Sequence, residues 1–472
     1  MNKLRKLKKA NMKHMRVEVS NMEEQKGAKS RSREIPGPKA KKIVEEYEKY
    51  ACPGISRHPP VVWEKAKGAI VQDIDGNEYI DFTSGIAVAN AGHCPSRVVD
   101  AIKKQVERLL NCYDHPTVER ARLQRTLAEI TPTDKKSDSI NKIQLATGGS
   151  EAIEFAIKVA RRHTGKFEII TTHGGFHGRV SYQAMALTAY AKYRKELGVA
   201  IPGTLYTPYA YCYRCTFDRS YPDCDIICAK YLEHVLKYES TGNIAAFIVE
   251  PIQGAAGYIV PPDEYIVRTK DFCERHNILF IGDEIQSGFG RSGKLFAIEY
   301  TGVKPDIMVQ GKGIGSGIPL TAIVGRESIM NSLNPGEHSS TYGGNPLSCA
   351  GALANIDTII EDKLPENARE LGNYILERFI EMKTRHTLIG DVRGRGLMIG
   401  IELVTDIKTK EPAIEEIQKI RQKIYKKGLL MVPAGLQGSV LRIAPPLVIN
   451  KEQVDKALDI FDEALSEVEK EK

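Results

Sequence analysis

From residue 142 to residue 324 the chain alternates short apolar runs with segments of helical periodicity, and this alternation restricts its fold more than any other feature. The runs are 142–146, 168–172, 245–250, 278–283, 307–310 and 320–324. Continuous apolar strands separated by helices give a mostly parallel sheet covered by helices on both faces. Before this region, 69–81 alternates apolar and polar residues about Asp75-Gly76, a favoured type I′ pair, and reads as a hairpin. Segments 95–110 and 117–130 have helical periodicity. Beyond Gly343 a long helical stretch leads to strands at 396–402 and 440–444, a helix at 414–426 and a terminal helix from Lys451. The expected plan is a large central α/β domain with a smaller domain built from both chain ends, which suits 472 residues.

Composition places the chain among ordinary globular proteins, with 42% hydrophobic and 27% charged residues. It has no run of eighteen apolar residues, and its start lacks the apolar core of a signal peptide. The net charge of +7 suggests a nucleic-acid partner until it is located. Residues 1–33 carry eleven lysines and arginines against three acids, which leaves the remaining 439 residues near neutrality. Segment 1–33 is therefore expected to be a basic, disordered tail; a translation start at one of its internal methionines accounts for it equally well. Nine cysteines in a chain of this kind suggest a reducing, cytoplasmic setting. Four of them, Cys212, Cys215, Cys224 and Cys228, cluster with two, eight and three residues between them. That spacing leaves buried thiols, disulfides or a metal site open; no metal is assigned.

The strand at 278–283 ends in Asp283, and the next ends just before Gly311-Lys312-Gly313. In open α/β sheets ligands bind beyond the C-terminal strand ends, so one lysine and one aspartate share a sheet edge. Pyridoxal phosphate (PLP) chemistry needs this pair. The lysine amine binds the cofactor aldehyde, and the carboxylate keeps the pyridine nitrogen protonated. Either motif alone is weak: most lysines between glycines lie on a surface, and an aspartate at a strand end often caps a turn. Upstream, Thr147–Ala152 runs from a strand through two glycines into a helix, whose open N–H groups suit a phosphate; Ser150 as a plain cap is the simpler alternative. Phe176 and His177 follow another strand, where one can stack on a ring and the other stand beside it.

Taken in order, the motifs resemble those of class III, PLP-dependent aminotransferases of fold type I, the group of ornithine, acetylornithine and 4-aminobutyrate aminotransferases. The resemblance covers residues 45–468. It rests on Gly85-Ile86-Ala87 with Gly92-His93 and Pro95; Gly148 to Ala152; Phe176-His177-Gly178; Glu250-Pro251-Ile252-Gln253; Asp283 to Gln286 with Gly288 to Arg291; Lys312; Thr341 to Pro346; and Arg442 to Pro446. It implies roles residue by residue. Gly149 and Ser150 would hold the PLP phosphate, Phe176 cover one ring face with His177 near it, Asp283 pair with the pyridinium and Gln286 meet the ring hydroxyl. Lys312 would be covalent partner and proton shuttle. Thr341 would reach the phosphate in a neighbouring subunit, which implies a homodimer with shared active sites, open to pairing into a tetramer. Arg442 would fork onto the substrate carboxylate, and Glu250 would pair with that arginine whenever a donor offers it no carboxylate.

On the same basis the chain divides into the tail at 1–33, a segment at 34–85 that joins the small domain, a large PLP-binding domain at 86–343, and a linker helix with the C-terminal small domain at 344–472. The expected activity is transfer of an amino group from an amino acid or ω-amino donor to a 2-oxo acid such as 2-oxoglutarate. Some relatives on this fold are racemases or epimerases, which need a second acid/base on the cofactor face opposite Lys312. Where the family often carries an acidic or polar residue after Gln253-Gly254, this chain has Ala255, which cannot serve. The cysteine-bearing segment 211–228 is a second departure. It is expected to shape the substrate entrance, with Asp218, Asp223 and Asp225 as alternative bases.

Overall fold

The computed structural model describes residues 34–54, 60–135, 140–197 and 201–471; the basic segment 1–33 lies outside them. The expected hairpin is present. Strands β1 (Trp63–Lys67), β2 (Ile70–Asp73) and β3 (Glu78–Asp81) form an antiparallel ribbon. The turn between β2 and β3 is held by the Asp73 carboxylate, which accepts from the backbone N–H groups of Asp75 and Asn77 at 3.0 and 2.8 Å. Gly76 supplies the left-handed φ of 87° that this turn demands.

The central sheet holds seven strands: β4 (Asn141–Ala146), β5 (Glu168–Thr172), β6 (Thr204–Thr207), β7 (Ile244–Val249), β8 (Leu279–Glu284), β9 (Ile307–Gln310) and β10 (Thr321–Arg326). Their order is β4-β10-β9-β8-β7-β5-β6, and only β10 runs antiparallel to its neighbours. Six of the seven coincide with the expected runs. β6 was not expected: it is a half-buried edge strand of threonine, leucine and tyrosine with no continuous apolar run. β7 is apolar throughout, and β8, β9 and β10 are apolar for most of their length and fully buried, because both faces of the sheet's centre are covered. Ala246, Ile248, Ile281, Ile307, Val309 and Ile323 pack under helix Gly149–Thr164. The intervening Phe247, Phe280, Met308 and Val324 join the main core on the other face. The period of two thus divides one sheet between two cores.

The C-terminal part adds β11 (Ile389–Arg395), β12 (Met398–Asp406), β13 (Glu411–Pro412), β14 (Leu429–Leu430), β15 (Val432–Ala434) and β16 (Val440–Ile443). β12 lies between β11 and β16, β15 closes the far side, and β13 pairs with the end of β12. β14 instead joins the N-terminal ribbon, setting Leu429 opposite Ile80 and Leu430 opposite Asp81 in a parallel pair. Among the described residues no helix is long and apolar enough to cross a membrane.

Helix Leu364–Arg385 crosses the β11–β12 turn at Gly372, where backbone meets backbone. A Cβ on Gly372 would lie 2.1 Å from the Gly396 carbonyl oxygen. Alanine is the better helix former by about 1 kcal/mol, yet overpacking against rigid backbone costs about 1–3 kcal/mol. Gly372→Ala is therefore expected to lower stability by roughly 1–2 kcal/mol, read as a lower midpoint in urea unfolding.

Candidate active site

Asp283 and Lys312 stand at the C-terminal ends of the adjacent parallel strands β8 and β9. Lys312 lies two residues beyond β9 with φ of 43°, a left-handed backbone that a side chain tolerates only where the surroundings impose it. The glycines beside it have little room for anything larger. A Cβ on Gly311 would meet Ile285 at 3.0 Å, and one on Gly313 would meet the Asn90 amide at 2.3 Å. Lys312 opens into a cavity of about 380 Å³. Burial pulls its amine below the usual lysine value. Glu250 and Asp283 oppose that shift, while Arg442 and Arg179 add to it.

The same cavity gathers Gly149, Ser150, Phe176, His177, Glu250, Asp283 and Gln286. Asp283 Oδ2 lies 2.7 Å from His177 Nδ1, and its Oδ1 accepts from the Ile285 N–H at 3.0 Å. Both side chains of the pair are essentially buried. Glu250 accepts from the Phe176 N–H at 2.8 Å and the Gly254 N–H at 2.9 Å; burial still pushes its carboxyl above the usual range. Gln286 lies against Gly254, where a Cβ would come within 2.3 Å of Nε2. The Phe176 ring packs edge-on to Tyr193, with centroids 5.4 Å apart.

Helix Gly149–Thr164 begins at the cavity without a side-chain cap. Ser150 does not cap it; its hydroxyl accepts from the Arg179 N–H at 3.3 Å. Gly178 is required alongside, because a Cβ there would lie 2.3 Å from Ser150 Oγ. The N–H groups of the first turn are thus left for an anion. Thr341 is exposed and does not line this cavity. Arg442, on β16, does not line it either; its guanidinium lies 5.9 Å from the Tyr258 ring centroid, and its buried Nε has no partner. No ion pair joins Arg442 to Glu250 among the described residues.

The profile of the class III aminotransferases matches residues 53–465. The chain belongs to the class III aminotransferase family. A leucine/methionine racemase of Thermococcus litoralis is 43% identical to it over 90% of this chain and 96% of its own length. A 4-aminobutyrate aminotransferase of Mycobacterium leprae is 36% identical over 92% and 97%. Among solved structures, an aminotransferase of Bacillus anthracis superposes with a TM-score of 0.85 at 31% identity, covering 91% of this chain and 99% of its own. The ornithine aminotransferase of Toxoplasma gondii gives a TM-score of 0.80 at 31% identity over 92% and 96%. The fold is therefore fold type I, and the cofactor of this class III enzyme is pyridoxal phosphate. The cavity suits it: a buried amine of depressed basicity, a buried carboxylate at the same edge, an uncapped helix start, and buried His177 Nε2 and Gln286 Oε1 without partners.

Three features escaped sequence reasoning. Arg179 lines the cavity with its guanidinium 5.6 Å from the Phe176 ring centroid; its place directly after Phe176-His177-Gly178 was the available signal. Ser84, Gly85, Ile86 and Ala87 all have φ between 47° and 68°, a left-handed turn that costs about 1–2 kcal/mol per non-glycine residue. Arg291, fully buried, donates to the carbonyls of Leu397 and Pro445 at 3.1 and 2.5 Å and to Asn90 Oδ1 at 2.7 Å. Conversely, Asp218, Asp223 and Asp225 do not line the Lys312 cavity. Asp225 instead pairs with Arg268 at 2.6 Å on the surface, so these aspartates are set aside as bases. Segment 211–228 walls a neighbouring cavity of about 190 Å³ through Tyr211, Arg214 and Thr216, with Gln253 and Ala256 opposite.

Only the neutral amine of Lys312 can attack the cofactor aldehyde. Because burial lowers its pKa, the neutral fraction rises with pH and saturates below the usual lysine value of 10.5. The rate of PLP uptake by cofactor-free enzyme, followed by absorbance, is expected to climb with pH and level off before that value. A rise that continues unchanged beyond it would contradict this picture.

Proposed function

We propose that the enzyme moves an amino group from an amino acid or ω-amino donor, such as ornithine or 4-aminobutyrate, to a 2-oxo acid, with 2-oxoglutarate as the preferred acceptor. The observation that carries this reading is the cavity at the β8 and β9 ends, where Lys312 is the one lysine among the lining residues and the buried carboxylates Glu250 and Asp283 line the same cavity. Pyridoxal phosphate, when bound, supplies an electron sink for negative charge at the substrate carbon. The chain's residues do the rest. Lys312 would hold the cofactor and take the proton from the substrate carbon, and burial keeps its amine ready to accept one. Asp283, steered by His177 and the Ile285 N–H, would pair with the ring nitrogen. Gly149 and Ser150 would take the phosphate, Phe176 would cover the ring and Gln286 would meet its hydroxyl.

Arg442 forks onto the substrate carboxylate. With both Glu250 oxygens occupied by backbone N–H groups, the arrangement is the one in which Arg442 can receive a carboxylate. When a donor brings none there, Glu250 is the acid that turns to Arg442, sparing a half-buried cation whose buried Nε has no partner. We further propose a homodimer in which the exposed Thr341 reaches the cofactor phosphate of the partner subunit, working in the cytoplasm. A second reading, racemisation or epimerisation of an amino acid, is favoured by the 43% identity to a leucine/methionine racemase. Ala255 weighs against it, since a methyl group cannot move a proton.

Lys312→Ala is expected to lower turnover by at least ~10³-fold and to remove the visible absorbance of the lysine-bound cofactor; full activity in that variant would sink the proposal. Wild-type enzyme given a panel of L-amino acids and diamines, followed by chiral chromatography, should form more than one equivalent of oxo acid or aldehyde per active site only when 2-oxoglutarate is present. Accumulation of D-amino acid without an acceptor would select the racemase reading.

A further inference from the structure

Cys212, Cys215, Cys224 and Cys228 have no part in the chemistry above, yet all four open onto one narrow cavity of about 20 Å³, the room of a water molecule. They come from two arms with separate anchors. The first arm is fixed to β12. Arg214 Nε donates to Glu402 at 2.5 Å, the Tyr211 hydroxyl donates to the other oxygen of that carboxylate, and Lys410 Nζ reaches the Tyr213 carbonyl at 2.6 Å. The second arm leads into helix Ile227–His234, whose Ala229 and Leu232 are in the main core, and Arg268 holds the Asp225 carbonyl at 2.8 Å. Between the arms, residues 216–223 are largely exposed.

All four thiols are free, Cys212 exposed and the others half-buried. They lie within one another's fields. Burial raises the Cys212 thiol, with Cys224 and then Cys215 adding to it; burial raises Cys228 to about 12, with Cys212 and Cys224 contributing. Among the described residues no three histidines, cysteines or acids converge to hold a metal ion. The arrangement therefore favours chemistry between pairs of sulfurs over a four-thiolate metal site.

We propose that Cys212 and Cys224 are a reversible disulfide site that staples the two arms together. The oxidant is a small disulfide such as oxidised glutathione. One cysteine loses its proton and its thiolate attacks a glutathione sulfur, releasing one reduced glutathione and leaving a mixed disulfide. The second cysteine, deprotonated in turn, attacks the protein sulfur of that bond. The Cys212–Cys224 bond forms and a second reduced glutathione leaves, so two protein thiols are oxidised and one small disulfide is reduced. Under reducing conditions the site is open. Closing it fixes Tyr211, Arg214 and Thr216, which wall the cavity shared with Gln253 and Ala256.

The test uses full-length, PLP-loaded enzyme incubated with oxidised glutathione, then alkylated, digested without reduction and mapped by mass spectrometry. The expected result is a linked pair of peptides carrying Cys212 and Cys224, reversed by dithiothreitol and absent in Cys212→Ser. The oxidised wild type should also unfold at a higher temperature than its reduced form, a shift that Cys212→Ser lacks. The proposal is overturned if all four thiols remain alkylatable, if glutathione stays attached without a protein cross-link, or if the link is confined to Cys212 and Cys215. Protection of all four thiols by zinc alone would overturn it in favour of a metal site.

Discussion

One buried cation holds the site segments of this enzyme together. Arg291 is removed from solvent with no ion-pair partner among the described residues; neutral oxygens of Leu397, Pro445 and Asn90 accept hydrogen bonds from its terminal nitrogens. Burial lowers its pKa to about 10, with the fields of Tyr258 and Asp81 opposing. A buried charge without its hydrogen bonds costs several kcal/mol, so the oxygens that accept from the two terminal nitrogens of Arg291 are fixed in turn, while its buried Nε is left without a partner. One precedes the β12 strand, another follows β16 and Arg442, and Asn90 lies beyond the left-handed turn at 84–87. Asn90 also donates to the carbonyls of Gly288 and Phe289 and fills the space that a side chain on residue 313 would need. Segments that carry Lys312, Arg442 and the left-handed turn at 84–87 are thus tied to one buried cation.

That constraint accounts for backbone conformations that local propensity would reject. Lys312 keeps a left-handed φ between Gly311 and Gly313, where a Cβ would run into Ile285 and Asn90, and the turn at Ser84 is tied down by its hydroxyl, which donates to the Ala444 carbonyl at 2.6 Å. Strain of this kind survives where the surroundings over-determine it, and it collects at sites that must pre-position reactive groups.

The acids of the site are held by different means. Asp283 is paired with His177, while Glu250 sits among backbone N–H groups with burial raising its pKa. The first is held in one orientation by a side chain; the second has only backbone partners, which suits the change of partner proposed for it. With a 43%-identical relative named as a racemase and a 36%-identical one as an aminotransferase, the difference between outcomes comes down to where protons can be carried, and Ala255 removes one such place.

The order of the strands and the residues that end them were legible in the chain itself, because strands buried at the centre of a sheet are largely apolar and Asp283 and Lys312 stand directly at the ends of two such runs. Hence the six main strands and the placement of Asp283 and Lys312 at one sheet edge needed no coordinates. β6 and the two-residue strands β13 and β14 were not legible: they are short or at edges, and their pairing is set by neighbours distant in sequence. The same holds for the His177–Asp283 contact, made across 106 residues, and for the Arg291–Asn90 contact, made across 201. Ser150, for which a plain cap was the simpler alternative to a phosphate contact, accepts from the Arg179 N–H instead of capping, and Asp225, one of three alternative bases, stands in a surface ion pair. Sequence settled which groups could do chemistry; tertiary structure alone decided which of them meet, because a hydrogen bond depends on distances that spacing along the chain does not fix.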